Sequence, residues 1–404
     1  MKLGIVYHMP FWRDANGSLR ELEGSFARYV DSLAPYFDEI VLCVPLTEDP
    51  SGEGTAIRAA NVRLAPLADF AGPVQFYPHL PSAMARIARF VHEIDLLHCR
   101  VPTPAGIFAF ATAQAARRPA FVLIVGDLKA LLPTMPYRGV KRLLWRAYTA
   151  FEEWNVQWMA DHGLAFANGA ALAAKHSRPG RAVIQTQTTT IDASEIASRE
   201  DTCAGPRLRL LTVSRIDPRK GLRVLPEVVR LLAARGIDAA IDIVGPAVGA
   251  PGAAEREAIE RDARAHGIAD RVRLLGPLAL DRLMPLYRDY DIFVLPTLPG
   301  EGIPRVLLEA MACGVPVVTT RVAGIPSLVG HERNGLLVDQ PAAAPVAGAI
   351  ARLAGDSALR RRIIASGYDT ARGFTLQAQA ERMMRDVSAR LGVTLRHPAP
   401  AAVS

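Results

Sequence analysis

"PGEGIPRVLLEAMACGVPVV", residues 299–318, puts one acid, Glu301, in a glycine-bearing loop and a second, Glu309, in the helical pattern that follows. Gly302 and Ile303 precede Pro304, whose fixed φ and missing N–H suit the first position of a helix. The stretch therefore predicts a helix whose unpaired N–H groups and positive end face a loop, an arrangement that attracts anions. Glu301 would repel a phosphate, so its expected partners are neutral hydroxyls. A ligand with both a diphosphate and sugar hydroxyls would use all of these groups, and a nucleotide sugar is such a ligand.

Around this stretch, short apolar runs alternate with helical patterns. Residues 208–215, 239–245, 272–276, 290–296, 316–320 and 334–339 read as strands, with helices over 224–235, 253–267 and 281–289 between them. The same alternation occupies the first half: strands over 2–8, 39–45, 96–100 and 120–125, helices over 21–37 and 104–118. Repeated βα units predict an α/β chain with parallel sheets. The polar, Gly- and Pro-bearing run 195–207 is the linker candidate. The expectation is two Rossmann-like doubly wound domains facing a cleft, 1–200 and 201–375. A helix over 376–392 would pack back at their junction, and 393–404 would be a frayed tail.

At 404 residues the chain is too long for one ordinary core, and with 50% apolar and 22% charged residues it reads as globular. The 47 Lys and Arg against 40 Asp and Glu give a net charge of +7, which favours phosphorylated substrates or an anionic membrane surface. No basic stripe is interleaved with aromatics, so nucleic acid is set aside. Cys43, Cys99, Cys203 and Cys313 lie far apart without metal-ligand spacing, which fits a reducing cytoplasm. The first residues are expected to form a buried strand rather than a signal segment, and no apolar run reaches the ~20 residues of a spanning helix. In 140–160, Val140, Leu144, Tyr148, Phe151 and Trp158 recur at helical steps. The stripe is expected to face the core; the alternative is a membrane surface, with Lys141, Arg142 and Arg146 as the basic face.

Ligands of doubly wound sheets bind beyond the carboxyl ends of strands. After the strand 208–213, "SRIDPRKGL" offers Arg215 and Lys220 with Gly221, cations and a glycine suited to phosphate. Two other strand-end loops in this half, "VGPAVG" with Gly245 and "LGPLAL", also carry glycines. Together with the acid, seven residues, acid spacing of Glu301 and Glu309, these loops resemble the donor domain of retaining family 4 glycosyltransferases of the GT-B fold. The resemblance is strong over about 207–390 and holds only in outline before that.

It implies that Glu301 holds donor-sugar hydroxyls and Glu309 the ribose. Arg215 and Lys220 would bind the diphosphate and stabilise it as the leaving group, with N–H contacts from Gly302 and Ile303. Reaction would be retaining, on the donor's front face, without a protein nucleophile. The triplet Asp289 to Asp291 runs into a strand and is not read as a metal pair, so no metal and no cofactor beyond the donor substrate is expected.

The first half departs from the family. In place of its Gly-Gly loop stand Glu23 and Gly24, with Gly17 nearby, and in place of its His stand Gly126 and Asp127. Asp127 is the acceptor-pocket candidate, a helix N-cap being the bland alternative; His98 is a weaker one. Ala323 and Ser327 replace the family's Gly and Glu. The expected function is transfer of a sugar from a nucleotide diphosphate sugar to a glycan or lipid-linked acceptor, in cell-surface polysaccharide or glycolipid synthesis. The rivals are a GT-B nucleotide-sugar epimerase and a non-catalytic nucleotide-sugar or glycan-binding protein.

Overall fold

The computed structural model describes residues 1–22, 24–48, 54–70, 73–132, 138–196, 198–298, 303–322 and 324–396. Glu23, Ala323, Glu301, Gly302 and the end of the chain from 397 lie outside the described residues. Two compact units form, one from Met1–Thr188 with Gln379–Ser404, the other from Thr189–Ala378. The division thus falls after Thr188, and residues 189–200 belong with the second unit rather than the first. Buried Ile191 explains this: it packs in the second unit's core, and its carbonyl accepts from Leu376 N at 2.8 Å.

In the first unit the strands are β1 (Lys2–Val6), β2 (Phe11–Arg13), β3 (Leu19–Glu21), β4 (Glu39–Cys43), β5 (Thr55–Ala56), β6 (Val62–Leu64), β7 (Leu96–Val101), β8 (Ala120–Ile124), β9 (Leu164–Asn168) and β10 (Ile184–Thr186). Seven of them make a parallel sheet in the order β10-β9-β8-β7-β1-β4-β6. Its central strands are buried and mainly apolar because both faces are covered, β7 alone among β8, β7 and β1 holding buried polar side chains, His98 and Arg100. One cover includes the helices Leu80–Glu93 and Gly106–Ala115; the other includes Ser25–Leu33 and the last helix, Leu376–Leu391, through Ala380, Met383, Met384 and Val387. Gly4 is needed in β1, since a Cβ there would lie 2.4 Å from the Ile94 side chain.

Two expectations for this unit are corrected. The helix expected from residue 21 begins at Ser25, because Leu19–Glu21 pairs antiparallel with β2 and β5 and Gly24 turns the chain at φ 74°. The helix Gly139–His162 buries Thr149, Glu152, Asn155, Val156, Met159 and Ala160, while Val140, Leu144 and Phe151 are exposed. A 3.6-residue period says that one face is apolar; packing decides which face is covered.

The second unit holds β11 (Leu208–Val213), β12 (Ala239–Val244), β13 (Val272–Gly276), β14 (Ile292–Leu295), β15 (Val317–Thr320) and β16 (Leu336–Val338), parallel in the order β13-β12-β11-β14-β15-β16. Apolar cores lie on both faces. Each unit is a doubly wound, Rossmann-like α/β layer structure. Among the described residues no helix is long and apolar enough to cross a membrane.

Candidate functional site

Adjacent strands β12, β11 and β14 bring their carboxyl-end loops together. After β11, Asp217 caps a short 3-10 turn, Pro218–Lys220, accepting from Arg219 N at 2.9 Å. Hydrogen bonding from Arg219 holds the Asp217 carboxyl down at about 2. Gly221 follows at φ 64°, and a Cβ there would sit 2.1 Å from the Pro296 carbonyl oxygen. Only glycine lets this loop lie against the end of β14. The contact continues through the Arg219 carbonyl, which accepts from Leu298 N at 2.8 Å and Thr297 Oγ1 at 3.2 Å.

From the other side, Gly245 after β12 has φ 139°, and a Cβ would meet the Ser214 carbonyl oxygen at 2.0 Å. Ile216 N donates to the Pro246 carbonyl at 2.8 Å. Two glycines thus wedge the loop 214–221 between its neighbours. Within it, Arg215 is exposed and Lys220 is buried.

After β14 the helix Arg305–Ala312 starts with Pro304 at its N-cap, φ −68° and ψ 125°, rather than inside the first turn. The proline keeps an extended backbone, so Arg305 becomes the first helical residue and Ile303 lies just ahead of the cap. Glu309 is buried on this helix. Thr190 Oγ1 donates to its Oε1 at 2.6 Å and the Tyr287 hydroxyl to its Oε2 at 2.9 Å. Both charge-assisted bonds fix the carboxylate, and each oxygen retains a second lone pair. Burial and the Glu309 charge raise the Tyr287 hydroxyl well above its ordinary pKa.

The acids of "DYD" are apart in role. Asp291 is buried and accepts from the backbone N–H of Cys203 at 2.9 Å and of Arg209 at 2.8 Å, which ties β14 to β11 and to the segment before it.

In the first unit, Gly24 is the N-cap of Ser25–Leu33, and a Cβ on it would lie 2.4 Å from Thr55 Oγ1. Gly17 turns the β2–β3 hairpin at φ 78°. Asp127 caps Leu128–Leu131, Oδ1 accepting from Ala130 N at 3.0 Å, and pairs through Oδ2 with Lys175 at 2.7 Å. Gly126 has open space around it. His98 is a core residue, stacked on Phe121 at 4.3 Å and bonded to the Tyr29 hydroxyl at 3.0 Å, its pKa lowered to about 3 by burial and by Arg100.

Sequence reasoning missed Arg100. Its guanidinium is buried amid the rings of Tyr7, Phe26 and Tyr29, 4.9–5.2 Å from their centroids, and its Nε and Nη1 have no hydrogen-bond partner. The available signal was an arginine close to a histidine in a fully buried parallel strand. Tyr287 and Thr190 were also missed, because neither pairing with Glu309 is close in sequence.

Residues 207–356 match the family model described as "Glycosyl transferases group 1". An amylovoran biosynthesis glycosyltransferase, AmsK of Erwinia amylovora, is 36% identical over 152 residues, 36% of this chain and 36% of that relative. A GDP-mannose-dependent alpha-(1-6)-phosphatidylinositol monomannoside mannosyltransferase of Mycobacterium tuberculosis is 34% identical over 169 residues, 40% of this chain and 42% of the relative. The match spans about two fifths of the length of these curated relatives. The solved structure of Anabaena HepE in complex with UDP-glucose superposes with a TM-score of 0.68 at 19% identity, covering 96% of this chain and 100% of that one. The chain therefore has the GT-B fold, and residues 207–356 of its second unit match the group 1 glycosyl transferase model.

Proposed function

We propose that the chain is a retaining, metal-independent glycosyltransferase moving a sugar from a nucleotide diphosphate sugar to an acceptor hydroxyl. The observation that carries this is the loop 214–221, wedged by Gly221 and Gly245 and bonded through the Arg219 carbonyl to Thr297 and Leu298, so that the segment bearing Arg215 and Lys220 lies against the end of β14, the strand that precedes the helix bearing Glu309. In this reading Arg215 and Lys220 neutralise the leaving diphosphate, helped by N–H groups of Gly302 and Ile303. Glu301 holds sugar hydroxyls and Glu309, preset by Thr190 and Tyr287, holds the ribose. Rate enhancement then comes from positioning and charge stabilisation.

The acceptor is a glycan or lipid-linked intermediate of polysaccharide or glycolipid synthesis, met in the cytoplasm at the inner membrane face. The names of the amylovoran and phosphatidylinositol mannoside relatives support that class. Asp127 belongs to the acceptor side of this reading, and Gly24 and Gly245 to the donor side. A thermal-shift screen against UDP-, GDP- and ADP-sugars, with and without magnesium, tests it: ligand binding only the folded chain raises the Tm. A shift for one base without magnesium is expected. No shift with any of them would overturn the donor assignment.

A further inference from the structure

The first half of the helix Gly139–His162 turns its apolar side outward. Val140, Leu143, Leu144, Ala147, Phe151 and Trp154 lie at i, i+3, i+4, i+7, i+11 and i+14, one continuous stripe of an α-helix. Val140 is 74% exposed, Leu143 65%, Leu144 64% and Trp154 59%. The side on which Thr149, Glu152 and Val156 are buried is the opposite one. Phe151 and Trp154 stack on each other at 6.3 Å, still in the open. Scattered exposed apolar residues are ordinary, whereas a contiguous stripe marks an interaction surface.

Beside the stripe, a cavity of about 550 Å³ opens between this helix and residues 74–78, lined by Val74, Tyr77, Leu144, Trp145 and Tyr148, with Lys141 on its wall. Val74 is itself 76% exposed, so the apolar surface continues from the helix onto the neighbouring segment.

Charge identifies what covers this surface. Residues 138–151 contain Arg138, Lys141, Arg142 and Arg146, all exposed, and no acid. An apolar stripe flanked by cations and aromatic rings is the composition of a helix lying in a membrane interface, where apolar side chains reach the acyl boundary and Lys and Arg meet anionic headgroups. A second copy of the chain fits less well. An isologous contact along the stripe would set these cations beside their own equivalents, with no acid between 138 and 151 to pair with them.

We propose that the exposed face of Gly139–His162, with the cavity beside it, docks the first unit on the surface of a membrane containing anionic lipids. This deepens the proposed meeting with the acceptor at a membrane face and rests on that reading, while its observations are independent of the donor site.

The test is sedimentation of the full chain with vesicles of phosphatidylcholine alone and of phosphatidylcholine with phosphatidylglycerol. Binding is expected to the anionic vesicles, to weaken with salt, and to be poor on neutral ones. Arg142→Glu with Arg146→Glu should lower the affinity at least tenfold, since each lost cation near an anionic surface counts for roughly fivefold. Leu143→Ser with Leu144→Ser should lower it similarly. Brominated lipid should quench tryptophan emission in the parent and less in Trp154→Phe.

The substituted side chains are exposed, so melting and the nucleotide-sugar thermal shift should match the parent, which separates failure of docking from failure of the donor site. Vesicle binding unchanged in both double variants overturns the proposal. So does an absence of binding to anionic vesicles, or a concentration-dependent dimer that Leu143→Ser with Leu144→Ser dissociates.

Discussion

Tyr287 and Glu309, on successive helices of the second unit, are joined by a buried hydrogen bond of 2.9 Å that holds the carboxylate from beneath. Removing the phenol leaves a buried carboxylate oxygen short of a partner. Tyr287→Phe should therefore lower stability by about 1–3 kcal/mol and loosen nucleotide binding. Glu309→Ala should weaken nucleotide binding further, since it removes the ribose partner itself. Isothermal titration with the nucleotide diphosphate, beside urea unfolding, checks both; equal affinity in parent and variants would sink the ribose role.

Lys220→Ala should reduce kcat by roughly 100-fold or more at saturating donor, if its ammonium stabilises the departing phosphate. Single-turnover kinetics with a fixed acceptor measures this. An unchanged rate would remove Lys220 from the reaction.

Gly221→Ala and Gly245→Ala place a Cβ against carbonyl oxygens at 2.1 and 2.0 Å, at φ values that favour glycine. Each should cost about 1–3 kcal/mol of stability, through backbone strain, and should displace the loop carrying Arg215 and Lys220. The expected signature is a lower urea midpoint together with weaker donor binding.

Glu152, buried beside Tyr148, has its carboxyl pushed from its ordinary 4.5 up to about 7, chiefly by burial. The folded chain therefore holds that proton more tightly than the unfolded one. Its stabilising contribution is fully present below pH 4.5 and is lost as pH rises to about 7, amounting to about 3 kcal/mol. Glu152→Gln should flatten this part of the stability profile and raise the Tm at pH 8. Identical pH profiles for parent and variant would contradict the assignment.

Much of this architecture could be read from residue order. Apolar-rich runs such as Leu208–Val213 and Ile292–Leu295 became central parallel strands because such runs need cover on both faces. The glycines after β11 and β12 marked close approaches, although which atoms they approach, Pro296 and Ser214, depends on strand order and was not legible. Short hairpin strands at 11–21 escaped notice because three residues are too few to show a period. Pro304 sits one position earlier than expected, since proline suits an extended cap as well as a first turn. For the helix Gly139–His162, periodicity revealed the stripe without its direction. Asp127 shows the reverse limit: an acid in a strand-end loop proved to be a cap and an ion-pair partner of Lys175, a use that local sequence permits as readily as any other.

The last helix has a consequence for how the molecule is made. Ala380, Met383, Met384 and Val387 close one face of a sheet that includes Lys2–Val6, so that strand is made hundreds of residues before part of its cover. A nascent chain paused after Thr188 presents that sheet with one apolar side covered only in part, by Ser25–Leu33, whereas the second unit, Thr189–Ala378, is contiguous and is made whole before the rest of the cover arrives. Vectorial synthesis therefore favours completion of the second unit before the first, and a chain truncated ahead of Ala380 would leave part of that apolar face to the quality-control machinery of the cell.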